Sequence, residues 1–244
     1  MNKSPIAFFD SGIGGSTILK EVTKLLPKEH YIYYADSKNN PYGNKSKEEL
    51  FNIVDNIVKD LIKYNPKLIV CACNTATTMV LKDIREKYKD IIFIGTEPAV
   101  KVIYDNYQNK KSIILTTKGT GDSKRFNELI KKYKSKNSKL VEAPLLAELI
   151  EQNKDTYQYL NKLLKDEKNI ELVVLGCTHF PLVKDHIKKI LGNVIFIDGG
   201  KGIANRIKYI LEQNEGFNNK YKLDIITDNK DKENRIINII NKKS

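Results

Sequence analysis

The sequence predicts an α/β protein whose mainly parallel sheets are flanked by helices, and two observations carry this prediction. Short apolar runs alternate with amphipathic stretches almost from end to end of the 244 residues. Such alternation of strand and helix patterns is typical of parallel sheets with helices on both faces. The runs at 68–70 and 172–175 are continuously apolar, as expected of strands that are covered on both sides.

Nine short apolar segments bounded by polar or turn residues are predicted as strands. They are residues 6–9, 31–35, 68–72, 91–94, 112–116, 140–143, 171–176, 194–197 and 222–227. The clearest helix between them carries an apolar stripe from Leu50 to Ile62, which is the pattern of an amphipathic helix. It opens with Ser46 and Glu49, a capping-box spacing, and stops before Pro66.

Two segments of the chain look alike and suggest two similar halves. Cys73 and Cys177 each stand one step past a buried strand and are followed by polar residues and a helix. We expect residues 1–97 and 207–244 to form an N-terminal α/β domain that carries Asp10 and Cys73. Residues 98–206 then form a second α/β domain with Cys177 and His179. Ligands of open α/β sheets lie beyond the carboxyl ends of the strands, so the site is expected between the halves.

Composition predicts a cytoplasmic protein. Three cysteines do not make a disulfide framework, and reduced thiols are typical of the cytosol. No apolar run approaches the ~20 residues of a membrane helix. The first five residues lead directly into a strand pattern and lack the apolar core of a signal peptide.

A net charge of +12 raises the question of nucleic-acid binding. The lysines are spread over helix-surface positions, and only four residues are arginine, the side chain best suited to recognising bases and phosphates. The densest basic run, 131–136, is interpreted as the exposed end of a helix and the loop after it. Specific nucleic-acid binding is therefore not expected.

A glycine-rich turn follows the first strand, from Asp10 to Thr17. Glycines let the backbone approach a ligand, and a helix start offers N–H donors to an anion. Dinucleotide binding is one alternative, with Asp36 at the position of a ribose-binding acid, but Thr17 stands where the third glycine belongs. A purely structural tight turn is another.

The two strand-end cysteines are the strongest candidates for chemistry. Helix N-terminal amides can lower the pKa of a thiol and hold it as thiolate. Asp10 and His179 are ionisable neighbours that could assist Cys73 and Cys177 respectively. Two thiols on opposite sides of a carbon could invert it, one removing a proton and the other delivering one. Hydroxyl and amide groups would then hold the carboxylate of an amino-acid substrate; the candidates are Ser11, Asn74, Thr75 and Thr178.

A metal site is the rival interpretation of the cysteines. It would combine Cys71 and Cys73 with Cys177 and His179. This spacing is not a standard one for zinc, and Cys71, inside its strand, is expected to be buried and inert. No metal and no cofactor are therefore expected.

Taken together, the motifs resemble those of the glutamate racemases within the aspartate/glutamate racemase superfamily. The likeness covers nearly the whole chain, in the family's motif order. The motifs are the opening Asp10-Ser11-Gly-Ile-Gly-Gly, the loop Pro41-Tyr42-Gly43, the first catalytic motif Cys73-Asn74-Thr75 and the second, Gly-Cys177-Thr178-His179-Phe-Pro.

The resemblance implies cofactor-independent interconversion of L- and D-glutamate, supplying D-glutamate for peptidoglycan, by an enzyme that associates as a homodimer. It assigns Cys73 and Cys177 as the acid/base pair, assisted by Asp10 and His179. Implied substrate contacts are Asp10, Ser11, Pro41, Tyr42, Gly43, Asn74, Thr75, Thr117, Thr120, Thr178 and His179. Asp36 and Glu151 match supporting acidic positions, and Glu151 is expected to orient His179. An aspartate or broad-specificity racemase, or a non-catalytic binding protein on the same fold, are the alternatives.

Overall fold

The computed structural model describes residues 4–133, 135–214 and 216–242. Within these residues the chain forms two sheets, one of five strands and one of four. The strands are β1 (Ile6–Asp10), β2 (His30–Ala35), β3 (Leu68–Cys71), β4 (Phe93–Gly95), β5 (Ser112–Thr116), β6 (Ser138–Glu142), β7 (Leu172–Gly176), β8 (Ile195–Ile197) and β9 (Lys222–Ile226).

Every described strand pair is parallel. The first sheet has the order β4-β3-β1-β2-β9 and the second the order β6-β5-β7-β8. The strand that completes the first sheet therefore follows the whole second sheet in the chain. Parallel strands need crossover connections, which helices supply here.

Helices cover the two sheets. They are α1 (Ser16–Leu25), α2 (Lys47–Ile62), α3 (Asn74–Met79), α4 (Leu81–Lys87), α5 (Val100–Asn106), α6 (Lys118–Gly121), α7 (Lys124–Tyr133), α8 (Leu146–Glu151), α9 (Tyr157–Leu164), α10 (Lys184–Leu191), α11 (Gly200–Gln213) and α12 (Lys230–Asn241). Short 3-10 turns occur at Ser37–Asn39, Tyr42–Asn44 and Phe180–Val183. None of the helices in the described ranges is both long enough and apolar enough to cross a membrane.

The predicted fold class is confirmed, and all nine predicted strands are present with ends displaced by at most two residues. The helix predicted from the stripe after Ser46 is α2. Ser46 accepts a hydrogen bond from the backbone N–H of Glu49 at 3.1 Å, so the predicted N-terminal cap is confirmed.

The basic run 131–136 is interpreted as an exposed helix end and the loop after it, and this is confirmed for its described lysines, which are exposed. Helix α7 does end inside it, at Tyr133. Ser135, in the loop, is buried, and its hydroxyl donates to the backbone carbonyl of Gln108 at 2.9 Å. Lys134 lies outside the described residues, as do residues 1–3 and 243–244 of the expected N-terminal domain.

Packing joins the two sheets into one body. A single cluster of buried apolar residues includes Ile6 and Val70 of the first sheet and Ile113 and Val173 of the second. Helix α11 begins beyond β8, crosses the expected domain boundary at residue 206 and packs against α1. The division into domains stays a prediction, but the strands at 6–95 and 222–226 share one sheet.

Candidate active site

Cys73 stands just beyond β3, an interior strand of the first sheet, at the start of α3. Its side chain is buried. Burial above all, and then the negative charges of Asp10, Cys71 and Cys177, raise the pKa of Cys73 well above its ordinary value. The expectation that helix amides lower this pKa is wrong for Cys73, because desolvation outweighs the backbone N–H of Ala76.

Cys177 stands just beyond β7, the corresponding interior strand of the second sheet, and it has a basic neighbour. Its Sγ lies 3.7 Å from Nδ1 of His179, and both residues are buried. On the other side of the ring, Nε2 lies 2.6 Å from Oε1 of Glu151. Since an ionised carboxylate can only accept, Nε2 carries a proton and Nδ1 is the nitrogen directed to the thiol.

Neighbouring charges keep both the His179 ring and the Glu151 carboxylate ionised. Burial alone would lower the pKa of His179, but Cys177 and Glu151 raise it well above its ordinary value. Burial would raise the pKa of Glu151, but hydrogen bonds and charges from His179 and Lys232 lower it to about 2. Glu151 thus contacts the ring that it was expected to orient, and its orienting role stays a prediction.

Two further residues of the C-terminal helix reach Glu151. Lys232 Nζ lies 2.9 Å from Oε2 of Glu151. Arg235 donates to the backbone carbonyls of Glu151 at 2.5 Å and of Ile150 at 2.6 Å. Sequence reasoning missed both residues, because no local motif marks them and their partners lie some 80 positions earlier in the chain.

Three backbone N–H groups of the glycine-rich turn are hydrogen bonded to carboxylates of the protein itself. Backbone N–H groups of Gly12 and Gly15 donate to Asp10 Oδ2 at 3.3 and 2.8 Å, and that of Ile13 donates to Glu151 Oε1 at 2.6 Å. A Cβ at Gly14 would lie 2.3 Å from Nδ1 of His179. The expectation that these N–H groups serve a bound anion is wrong for those three, because internal carboxylates occupy them.

Asp10 ends β1, beside β3, and is fully buried. Its Oδ1 has no hydrogen-bond partner among the described residues. Burial raises the pKa of Asp10 to about 6, although the charge of His179 and the N–H of Gly15 oppose this. Asp10 acts on Cys73 through its charge, in the direction that favours the protonated thiol.

Three predicted hydroxyl residues meet from the two halves. Thr75 Oγ1 lies 3.1 Å from Thr117 Oγ1 and 3.4 Å from Thr120 Oγ1. Gly43 lies close by, since a Cβ on Gly119 would lie 2.9 Å from the Gly43 carbonyl oxygen. The loop at Pro41–Gly43, α3 and α6 therefore border one region.

Asp36 acts on that loop. It accepts from Tyr42 Oη at 2.7 Å and from Asn39 Nδ2 at 2.9 and 3.0 Å. The tyrosine hydroxyl is thus engaged by Asp36. Asn40 Nδ2 donates to the Ser11 carbonyl at 3.1 Å, a second tie that sequence reasoning missed.

The remaining predicted contact residues are buried at the same strand ends. Ser11, Asn74 and Thr178 are each at most 5% exposed. Thr17 Oγ1 donates to the carbonyl of Thr178 at 2.9 Å, which ties α1 to the second half. In the sequence, Thr17 is distinguished only as the residue that breaks a dinucleotide-binding pattern.

The alternative metal site has no support in the geometry. Cys71 lies within β3 and directs its Sγ to the Cys73 carbonyl at 3.6 Å. Burial raises the pKa of Cys71 to about 12. Across the described ranges, no three His, Cys, Asp or Glu side chains are grouped so as to hold a metal ion.

The fold and site define a class: a two-sheet α/β protein with a buried free thiol beyond an interior strand of each sheet. The Asp/Glu/hydantoin racemase family matches residues 16–207. Glutamate racemase from Clostridium novyi is 42% identical over 226 residues, which are 89% of this chain and 87% of the relative.

Solved structures of glutamate racemases are also similar to this chain. Glutamate racemase from Escherichia coli, in complex with L-glutamate and the activator UDP-MurNAc-Ala, superposes with a TM-score of 0.83 at 29% identity, over 97% of this chain and 95% of that one. The Francisella tularensis enzyme with D-glutamate gives a TM-score of 0.80 at 28% identity, over 98% and 94%. The chain belongs to the Asp/Glu/hydantoin racemase family and is an enzyme of the isomerase class.

Proposed function

We propose that this enzyme interconverts L- and D-glutamate, with Cys73 and Cys177 as acid and base on opposite faces of the α-carbon. The observation that carries the proposal is the matched position of the two thiols. Each follows an interior strand of its own sheet, each is buried, and the charge of Cys177 raises the pKa of Cys73. Glutamate as substrate is supported by the E. coli and F. tularensis structures, which contain L- and D-glutamate.

Inversion requires two groups, because a single base would return the proton to the face from which it came. The thiolate on one face removes the α-proton, forming an S–H bond while the C–H electron pair stays on carbon. The thiol on the other face then donates its proton to that carbon. The reverse reaction restores both thiols to their starting states.

The neighbours of each thiol can assist its proton transfers. His179 Nδ1, 3.7 Å from Cys177 Sγ, is positioned to exchange a proton with that sulfur, giving it to the thiolate and taking it back from the thiol. Asp10 lies near Cys73 and has a pKa of about 6, close to neutrality, where a carboxyl group exchanges protons readily. Both supporting roles belong to this proposal.

The substrate carboxylate needs donors because charge develops next to it as the α-proton leaves. The hydroxyls of Thr75, Thr117 and Thr120, joined at 3.1 to 3.4 Å, supply such donors. Ser11, Asn74, Thr178 and the backbone of Tyr42-Gly43 are the further contacts we infer.

We infer an enzyme without cofactor that works in the cytoplasm as a homodimer and supplies D-glutamate for peptidoglycan. Racemisation by two thiols needs no redox partner, since no electrons leave the substrate.

The proposal is tested by incubating the enzyme with L- or D-glutamate in deuterated water. Deuterium should enter the α-carbon as the other enantiomer forms. Cys73→Ala and Cys177→Ala should each reduce racemisation by at least about 10³-fold, because one face loses its proton carrier. Cys71→Ala is the matched control and should stay within about threefold, since Cys71 lies inside β3.

Parallel assays separate the alternatives. If the enzyme racemised aspartate but not glutamate, aspartate would be its substrate. If neither amino acid took up deuterium at its α-carbon, a binding protein would be favoured. Full racemisation by both Cys73→Ala and Cys177→Ala would disprove the two-thiol mechanism.

A further inference from the structure

Helix α12 brings a lysine to a carboxylate that belongs to the site. Asn229 caps the helix, its side chain accepting from the backbone N–H of Lys232 at 3.1 Å. Lys232 Nζ then lies 2.9 Å from Oε2 of Glu151, and the Lys232 side chain is 16% exposed. Such a sheltered pair is screened less by solvent than a surface ion pair.

Arg235, one turn further along, fixes the helix that carries Lys232. Its two terminal nitrogens donate to the last carbonyls of α8, those of Ile150 and Glu151. Carbonyls at a helix C-terminus lack intrahelical partners, and a cation is favoured there. Arg235 therefore ties α12 to the residue whose side chain Lys232 contacts.

The charged groups that face Glu151 come from three parts of the chain. His179 approaches from the segment after β7, Lys232 and Arg235 from α12, and Asp10 from the end of β1. The backbone N–H of Ile13 completes the set of donors. Glu151 Oε1 is thus shared by His179 and Ile13, while Oε2 pairs with Lys232.

We propose that Lys232 is a positioning residue of the racemase site: through Glu151 it fixes His179 and sets the proton affinity of the imidazole that faces Cys177. Arg235 holds α12 in the position that this requires. Neither residue touches the thiols, so neither is catalytic. The inference rests on the proposed function for its kinetic consequences, but its effect on His179 is independent of any substrate.

The physical reason is charge balance in a buried group of ions. Glu151 holds the proton on Nε2 and so directs Nδ1 to Cys177. Lys232 neutralises part of the Glu151 charge, which would otherwise bind the His179 proton more tightly. An imidazole that holds its proton too firmly exchanges it poorly with a thiol.

The first test needs no substrate. NMR spectra of the full chain with ¹⁵N-labelled histidine report the protonation of the three histidines, and His179→Asn assigns the relevant signals. In Lys232→Met, His179 should stay protonated to a pH about one unit higher than in the wild type, because a nearby positive charge is gone. Lys232→Arg should restore the wild-type curve, and His30 and His186 should not change.

Lys230→Met is the matched control. Lys230 lies on the same helix, is 77% exposed and pairs with Glu233, away from the site. It should leave the titration of His179 unchanged. An unchanged titration in Lys232→Met as well would mean that Lys232 merely attaches the helix, and the inference would be wrong.

The second test is kinetic. Lys232→Met should lower kcat by about tenfold with little change in KM, since an orienting contact is lost while substrate contacts remain. Lys230→Met and Lys232→Arg should stay within about twofold. Arg235→Ala should lower kcat in the same way. A changed KM with unchanged kcat would contradict the inference, whereas a wild type inactive on glutamate would reject the proposed function and leave the NMR result to decide on Lys232.

Discussion

The two thiols of the site occupy equivalent strand ends but have different neighbours. Cys177 lies beside an imidazole that is hydrogen bonded to Glu151, which in turn pairs with Lys232. Among the described interactions of Cys73 there is no imidazole. Burial and the charge of Asp10 raise the pKa of the Cys73 thiol. The repeated architecture therefore supplies the positions of the thiols, and the neighbouring residues make them chemically unlike.

The difference matters because the proposed reaction itself is symmetric. L- and D-glutamate have equal free energies in water, so the equilibrium imposes no distinction between the two faces. Any inequality between the two proton transfers must then come from the protein. The ionised His179–Glu151 pair on one side and the raised pKa of Asp10 on the other are the structural origin that we identify.

Among the tests of this difference between the two sides, the largest effect is expected from removing the assisting group on each side. His179→Asn and Asp10→Asn should each lower kcat by about 10²-fold, the contribution typical of a positioned acid or base. Because the equilibrium constant is one, kcat/KM must fall equally in both directions. The asymmetry should instead appear in primary isotope effects measured with α-deuterated L- and D-glutamate.

Each variant should raise the isotope effect for one enantiomer, the one whose proton is removed on the altered side. His179→Asn and Asp10→Asn should affect opposite enantiomers. If both raised the isotope effect for the same enantiomer, the assignment of one assistant to each thiol would be wrong.

A smaller effect is expected from the contact between the glycine turn and His179. A Cβ at Gly14 would lie 2.3 Å from Nδ1 of His179, so Gly14→Ala must displace either the ring or the turn. We expect a loss of stability of about 1–3 kcal/mol and a fall in kcat of about tenfold or more.

Gly202→Ala is the control for this substitution. Gly202 lies in α11, and a Cβ there meets nothing within 4 Å. It should leave kcat unchanged and raise stability slightly, because alanine favours a helix. Equal activity of the two alanine variants would contradict the tight contact.

The expected effects on stability alone depend on pH, and they have opposite signs at the two carboxyl groups. The pKa of Asp10 is raised from 3.8 to about 6, so the folded state binds more protons than the unfolded state between these values. Stability therefore falls as pH rises through this window. Asp10→Asn should be more stable than the wild type at pH 7, by about 3 kcal/mol or about 9 °C in Tm.

Glu151 gives the converse behaviour. Its pKa is lowered from 4.5 to about 2, so its contribution is present above pH 4.5 and is lost as pH falls towards 2. Glu151→Gln should be less stable than the wild type at pH 7 and match it near pH 2. Thermal melting between pH 2 and 7 measures both effects, and parallel curves for all three proteins would refute the stated directions of the two pKa shifts.

The fold was predictable because its signals are local. Each strand is a short apolar run, and α2 shows both its stripe and its cap in sequence, so these elements were found within two residues of their ends. The two cysteines and the residues after them were likewise visible, since each stands at a strand end next to polar side chains.

The contacts between segments were not predictable in the same way. The Gly12–Gly15 turn offered N–H donors in sequence, but which carboxylate they bind depends on packing against α8. Whether the pKa of Cys73 is raised or lowered depends on burial, which a helix start alone does not reveal. Lys232 and Arg235 belong to an ordinary amphipathic helix until the fold brings them to Glu151.

The position of β9 has a consequence for how the chain is assembled. This edge strand pairs with β2 through contacts such as His30 with Lys222, although the entire second sheet is synthesised between them. Until β9 has been synthesised, this edge of β2 has no partner strand, and an unpaired edge favours pairing with strands of other molecules. Helix α12 follows β9 directly, so the same late segment of the chain closes that edge and brings Lys232 to Glu151.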